Sequence, residues 1–136
     1  AITREETELV TGAPAAQMIR DCITAINENN SNDALSIIHT AQESNIDAYV
    51  FMQMLVHAVR TVLHIRFSQS RADDIKKEIG EDEFTFLSGL AAEKNNIHSE
   101  LLAQLLSAYS QMNSAFLKYT PIELVILKTT AKETKK

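Results

Sequence analysis

Four histidines, one cysteine and two runs of carboxylates are the side chains of this 136-residue chain whose chemistry could go beyond packing. His57 and His64 stand seven residues apart, which on a helix places them on one face but about 10.5 Å apart along the axis, too far to share a metal directly. Chelation from a single helix needs a spacing of three or four. His39 and His98 have no acidic or thiol partner at ligand spacing that stands out, so the histidines read as polar edges of packed helices. Cys22 sits among Met18, Ile19, Ile23 and Ile26 at helical spacing and reads as a buried structural thiol. A lone cysteine makes no internal disulfide and fits a reducing compartment. Glu5, Glu6 and Glu8, then Glu81, Asp82 and Glu83, are acid runs, whereas acid-base catalysis needs two carboxyls held in environments that separate their pKa values. Such runs at helix starts complement the helix dipole. With no glycine-rich phosphate loop, no nucleophile elbow and no paired cysteines, no catalytic, metal or cofactor site is expected here.

The elements that would position these groups are helices. At 45% hydrophobic with three glycines and two prolines, the chain can bury a sizeable core as one all-α domain of about six to seven helices, residues 1–136. Thr3-Arg4-Glu5-Glu6 is a capping box that opens a short helix ending near Thr11-Gly12. The second helix runs from about Pro14 to Glu28 with Met18, Ile19, Cys22, Ile23 and Ile26 inward. The polar turn from Asn27 to Asp33 leads into a third helix carrying Ala34, Leu35, Ile37, Ile38 and Ala41, which stops near Ser44-Asn45. Asp47 then caps a long helix to Phe67 whose first half, Tyr49 to Val56, is apolar on nearly every side and reads as core. Its second half turns amphipathic. Gln53, His57 and Arg60 interrupt the apolar run, so no bilayer span is assigned.

From Ser68 to Glu83 charge crowds a stretch anchored only by Ile75 and Ile79, the best candidate for a mobile connection. A fifth helix spans about Asp82 to Lys94 and stops at Asn95-Asn96, with Gly89 inside it as a point of close helix crossing. The sixth runs from Ile97 to about Leu117, its apolar stripe including Tyr109, Met112, Phe116 and Leu117. Thr120-Pro121-Ile122-Glu123 reads as a second capping box before a last helix apolar on most sides. No segment alternates with period two for long enough to form a sheet.

The formal charge of −5 argues against a general nucleic-acid binder, and Lys128, Lys132, Lys135 and Lys136 read as a helix C-terminus plus a solvated end. The N-terminus lacks the basic start and apolar centre of a signal peptide, so a cytoplasmic location is expected. The absence of a starting Met and the ending on Thr134-Lys135-Lys136 are what a fragment of a longer protein would show. What remains is surface for other chains, and Arg60 and Arg66 on the amphipathic half of the long helix are its candidates.

The order of these signals resembles a known family. The Thr-capped opening and Gly12, the Ile-rich helix, the turn into Asp33-Ala34-Leu35, Ser44-Asn45-Ile46-Asp47 before the long helix with Val59-Arg60-Thr61-Val62-Leu63, and the closing Pro121-Ile122-Glu123-Leu124-Val125-Ile126-Leu127-Lys128 are similar to the third domain of the bacterial DNA polymerase III gamma/tau subunit. The resemblance implies a collar-like oligomerisation domain that follows an AAA+ ATPase module and joins clamp-loader subunits, as homo- and hetero-oligomers, into a ring placing sliding clamps on DNA. The ATP-binding loop, zinc-binding cysteines and arginine finger of the family would lie upstream, so ATP and zinc are implied only there. The candidate subunit interface is then Arg60, His64, Arg66 and Phe67 on the long helix, with Ser107, Gln111 and Lys118 on the last two helices. The rival expectation is a free-standing adaptor that takes one partner in an apolar groove. A weaker rival is an enzyme working through His57 or His64.

Overall fold

Apolar residues recurring every three to four positions fold into seven α-helices among the residues that the computed structural model describes, 13–92 and 97–130. They are α1 (Ala13–Asn27), α2 (Ser31–Glu43), α3 (Ala48–Phe67), α4 (Ala72–Ile79), α5 (Glu81–Ala92), α6 (Ser99–Gln111) and α7 (Thr120–Thr130), with single 3-10 turns at Gln69–Arg71 and Met112–Ser114. The domain is all-α. The expected opening helix with its Thr3 capping box and Gly12, the Asn95-Asn96 stop, and Lys132, Lys135 and Lys136 lie outside the described residues.

Asparagine ends the first two helices. Asn29 and Asn45 both adopt φ 61°, the left-handed conformation usually left to glycine. The next amide then reaches back, Asn30 N–H donating to Ala25 O at 2.8 Å and Ile46 N–H to Ala41 O at 3.0 Å, which satisfies carbonyls that a helix end leaves open. The following helices are capped from the same turns: Asn30 Oδ1 accepts from Asp33 N–H at 3.1 Å, and Asp47 Oδ1 from Tyr49 N–H at 3.2 Å.

Helix α3 is the centre of the bundle, packed by α1, α4, α5 and α6, while α7 closes against α2 and α6. By length and composition α3 could cross a membrane, yet its most apolar window is 56% buried inside the fold, as the core helix of a bundle is. Phe51, Met52, Leu55, Val59 and Val62 are buried from α3, and Phe51 meets Tyr119 edge-on at 5.6 Å between ring centroids. Cys22 is fully buried from α1, and burial, with the nearby Asp21 charge, pushes its thiol up to about 12. A thiol so placed is inert.

Three expectations need correction. The two halves of α3 do not divide into core and edge: Val50 and Gln53 reach solvent in the first half beside buried Phe51, Met52 and Leu55, and in the second His57, Arg60 and Phe67 are exposed while Ala58, Val59, Thr61, Val62, Leu63 and Ile65 are buried. Thr61 tolerates this because its hydroxyl donates to His57 O at 2.8 Å. The charged stretch after Ser68 is largely helical: Ile75 is buried and Ile79 packs on the core, so α4 is amphipathic despite its composition, and Gly80 at φ 93° turns the chain into α5. Gly89 is exposed with nothing near its missing Cβ, so no helix crosses closely there.

The sixth helix also stops early. Helix α6 ends at Gln111 and a 3-10 turn follows, because short polar side chains take up backbone carbonyls: Ser110 Oγ donates to Ser107 O and Ser114 Oγ to Gln111 O. Phe116 and Leu117, read as part of its apolar stripe, fall in the connection to α7. In place of the Thr120 capping box, Glu123 N–H donates to Tyr119 O at 3.0 Å and α7 begins at Thr120.

Candidate interaction surface

The turn between α6 and α7 brings apolar side chains to the surface. Phe116 is 96% exposed, Leu117 56% and Leu124 49%, and all three border one open groove of about 510 Å³ that also takes in Ala115 and Pro121. Gln111, Ser114 and Thr120 lie along the same groove. An apolar centre with polar groups beside it is the composition of a protein contact surface, and an exposed Phe next to exposed Leu residues is uncommon on an isolated domain. Lys118 fixes the turn, its Nζ donating to Asn113 O at 3.1 Å and Ala115 O at 3.0 Å.

The expected interface residues fall into separate places. Gln111 borders the groove; Ser107 is exposed on α6 away from its lining, and Lys118 is spent on the backbone of the turn. On α3, Arg60 and His64 share a small polar recess with His57 and with Arg71, from the 3-10 turn after α3. Partial burial, then the Arg60 and Arg71 charges, hold the His64 imidazole below its ordinary pKa. Phe67 is 74% exposed at the end of α3, with the Arg66 guanidinium 5.9 Å from its ring centroid.

Arg66 itself faces inward. Its Nε donates to Ala91 O at 2.9 Å, Nη1 to Ile97 O at 2.6 Å and Nη2 to Leu90 O at 3.3 Å. One guanidinium thus ties the end of α3 to the entry to α6 and to the end of α5, a helix C-terminus whose dipole a cation complements. Arg20 makes the equivalent tie from α1, its Nε and Nη2 donating to Glu83 Oε1 at 2.9 and 2.6 Å with its guanidinium 4.8 Å from the Phe86 ring centroid.

Sequence reasoning missed the groove residues Phe116, Leu117 and Leu124 because each sat in an apolar helical pattern. One signal was present: Leu124, Val125, Ile126 and Leu127 surround the helix axis, so a helix at the edge of a bundle must turn some of them outward. A second, more enclosed groove of about 300 Å³ lies between α1, α3, α5 and the end of α4, lined by Ile19, Met54, Ala58, Ile79 and Leu87. No three metal-ligating side chains converge among the described residues.

Comparison with protein families matches residues 2–135 to the model described as DNA polymerase III subunits gamma and tau domain III. Neither a curated protein nor a solved structure matches.

Proposed function

The chain belongs to the family of domain III of the DNA polymerase III subunits gamma and tau, and on that premise we propose that it is the non-catalytic association domain of a clamp-loader subunit. The observation that supports this reading is the apolar groove with Phe116, Leu117 and Leu124 on its border. A fully buried Phe or Leu side chain contributes roughly 1.5–3 kcal/mol, so covering these three drives association without any charged contact. Gln111 borders this contact, and Phe67 and Ser107 offer separate exposed points for contacts with other loader subunits. A rigid bundle that fixes one neighbour makes closure of each further ATPase contact intramolecular, which is how weak pairwise contacts become a ring. ATP binding and hydrolysis belong to modules upstream, and this domain holds them in place while a sliding clamp is opened on DNA in the cytoplasm.

The test is sedimentation of the gamma/tau subunit, alone and with its partner subunits, carrying Phe116→Asp or Leu124→Asp. Both positions are exposed, so the monomer fold is expected to persist by circular dichroism while association weakens at least tenfold, roughly 1.4 kcal/mol. Unchanged association in both variants would remove this face from the assembly. The adaptor reading is favoured by the groove between α1, α3, α5 and the end of α4; Met54→Lys weakening partner capture while Phe116→Asp leaves it intact would decide for it.

A further inference from the structure

We propose that the recess between α3 and α4 binds a small tetrahedral oxyanion of phosphate type, a property separate from the association role. His57, Arg60 and His64 follow one another along one face of α3 and line the recess together with Arg71 from the turn and Glu78 from α4. No ion pair or hydrogen bond is made by the guanidinium of Arg60 or Arg71 among the described residues. Arg20, by contrast, is paired with Glu83, and Arg66 is bound to three carbonyls. Two guanidiniums beside His57 and His64, with Glu78 as the one acid lining the same recess, form a locally positive cluster on a chain of net charge −5. Burial first, and then the charges of both arginines, disfavour protonation of His64, in keeping with their shared place in the recess.

Size and shape select the ligand. The recess, about 120 Å³, is smaller than the grooves of about 300 and 510 Å³ elsewhere on the surface, and it has room for one phosphate-sized ion. Arg60 from α3 and Arg71 from the turn bring two guanidiniums to one recess, and a planar guanidinium fork with an imidazole beside it is suited to the oxygens of a tetrahedral anion. Glu78 is the one acid on the wall; it opposes the anion and sets a moderate affinity.

The experiment is a proton NMR titration of the imidazole resonances with inorganic phosphate at constant ionic strength, sodium chloride replaced step by step. The expected result is a saturable movement of the His57 and His64 signals while His39, exposed on α2, stays in place. At saturation the His64 titration midpoint rises by about 1 unit, since an anion now faces it. Arg60→Gln weakens the apparent affinity about fivefold and Glu78→Gln strengthens it about fivefold, the effect of one unit charge in a water-exposed site. Both side chains are exposed, so neither change threatens the fold, and the opposite signs separate binding from a structural disturbance. The proposal is overturned if His39 moves in parallel with His64, if chloride alone gives the same movement, or if the two variants titrate like the unaltered chain.

Discussion

Replacing Arg66 by Met keeps the aliphatic stem and removes the guanidinium that joins three carbonyls across two helix ends. A hydrogen bond from a charged donor contributes roughly 1.5–3 kcal/mol where the acceptor is shielded. Here the side chain is only half-buried and water can reach some of the vacated carbonyls, so each of the two short bonds is worth about 1 kcal/mol and the 3.3 Å bond about half of that. The total is roughly 2–3 kcal/mol. In urea, with a slope of about 2 kcal/mol/M for a domain of this size, the unfolding midpoint followed by circular dichroism should fall by about 1–1.5 M at unchanged slope. Arg66→Lys should recover less than half of the loss, because one ammonium cannot reach carbonyls on both helices at once. Amide exchange should quicken at the end of α5 and the start of α6 before it does in α1 or α2. A midpoint for Arg66→Met within ~0.5 kcal/mol of the unaltered chain, the usual range for a surface substitution, would refute the tie.

Tyr119 donates its hydroxyl to Ile46 O at 2.7 Å, and burial, followed by the Asp47 charge, pushes its pKa from 10.0 up to about 12. The folded state therefore holds this proton more tightly than the unfolded one, so the stability involved is complete below pH 10 and is lost as pH rises toward 12. Tyr119→Phe should lower stability by about 1 kcal/mol at neutral pH and flatten the decline between those values, leaving only what Cys22 contributes there; urea midpoints across alkaline pH check this, and parallel curves would contradict it. Gly89→Ala should raise the thermal midpoint by about 3 °C, since the residue is exposed inside α5 with room for a Cβ and the unfolded chain loses freedom. The same change at Gly80, at φ 93°, should lower it.

The helices most legible in the sequence were those with local punctuation. Asp47 and the asparagine-rich turn after Asn27 carry their own backbone hydrogen bonds, and such bonds involve residues within five positions of one another. Helix α6 was overrun because its stop is made by Ser110 and Ser114 bonding to nearby carbonyls, a choice that competes with a continuing apolar pattern and leaves no glycine or proline as a mark. Arg66 was expected outward because an Arg on an amphipathic segment ordinarily is. Its carbonyl partners come from residues 24 to 31 positions later, which no periodicity along α3 encodes.

Composition, hydrophobic period and capping residues by themselves determined an all-α domain and the central place of the helix from Asp47 to Phe67. Those features are local and add along the chain. The tertiary structure alone decided which side of each helix is covered: that both halves of α3 carry core residues, that Arg66 and Arg20 bind inward, that Arg71 joins Arg60 and His64, and that Phe116 and Leu124 are left outside. Burial is set by which helix returns over which face, and a side chain of the same type is core or contact surface according to a neighbour that lies tens of residues away.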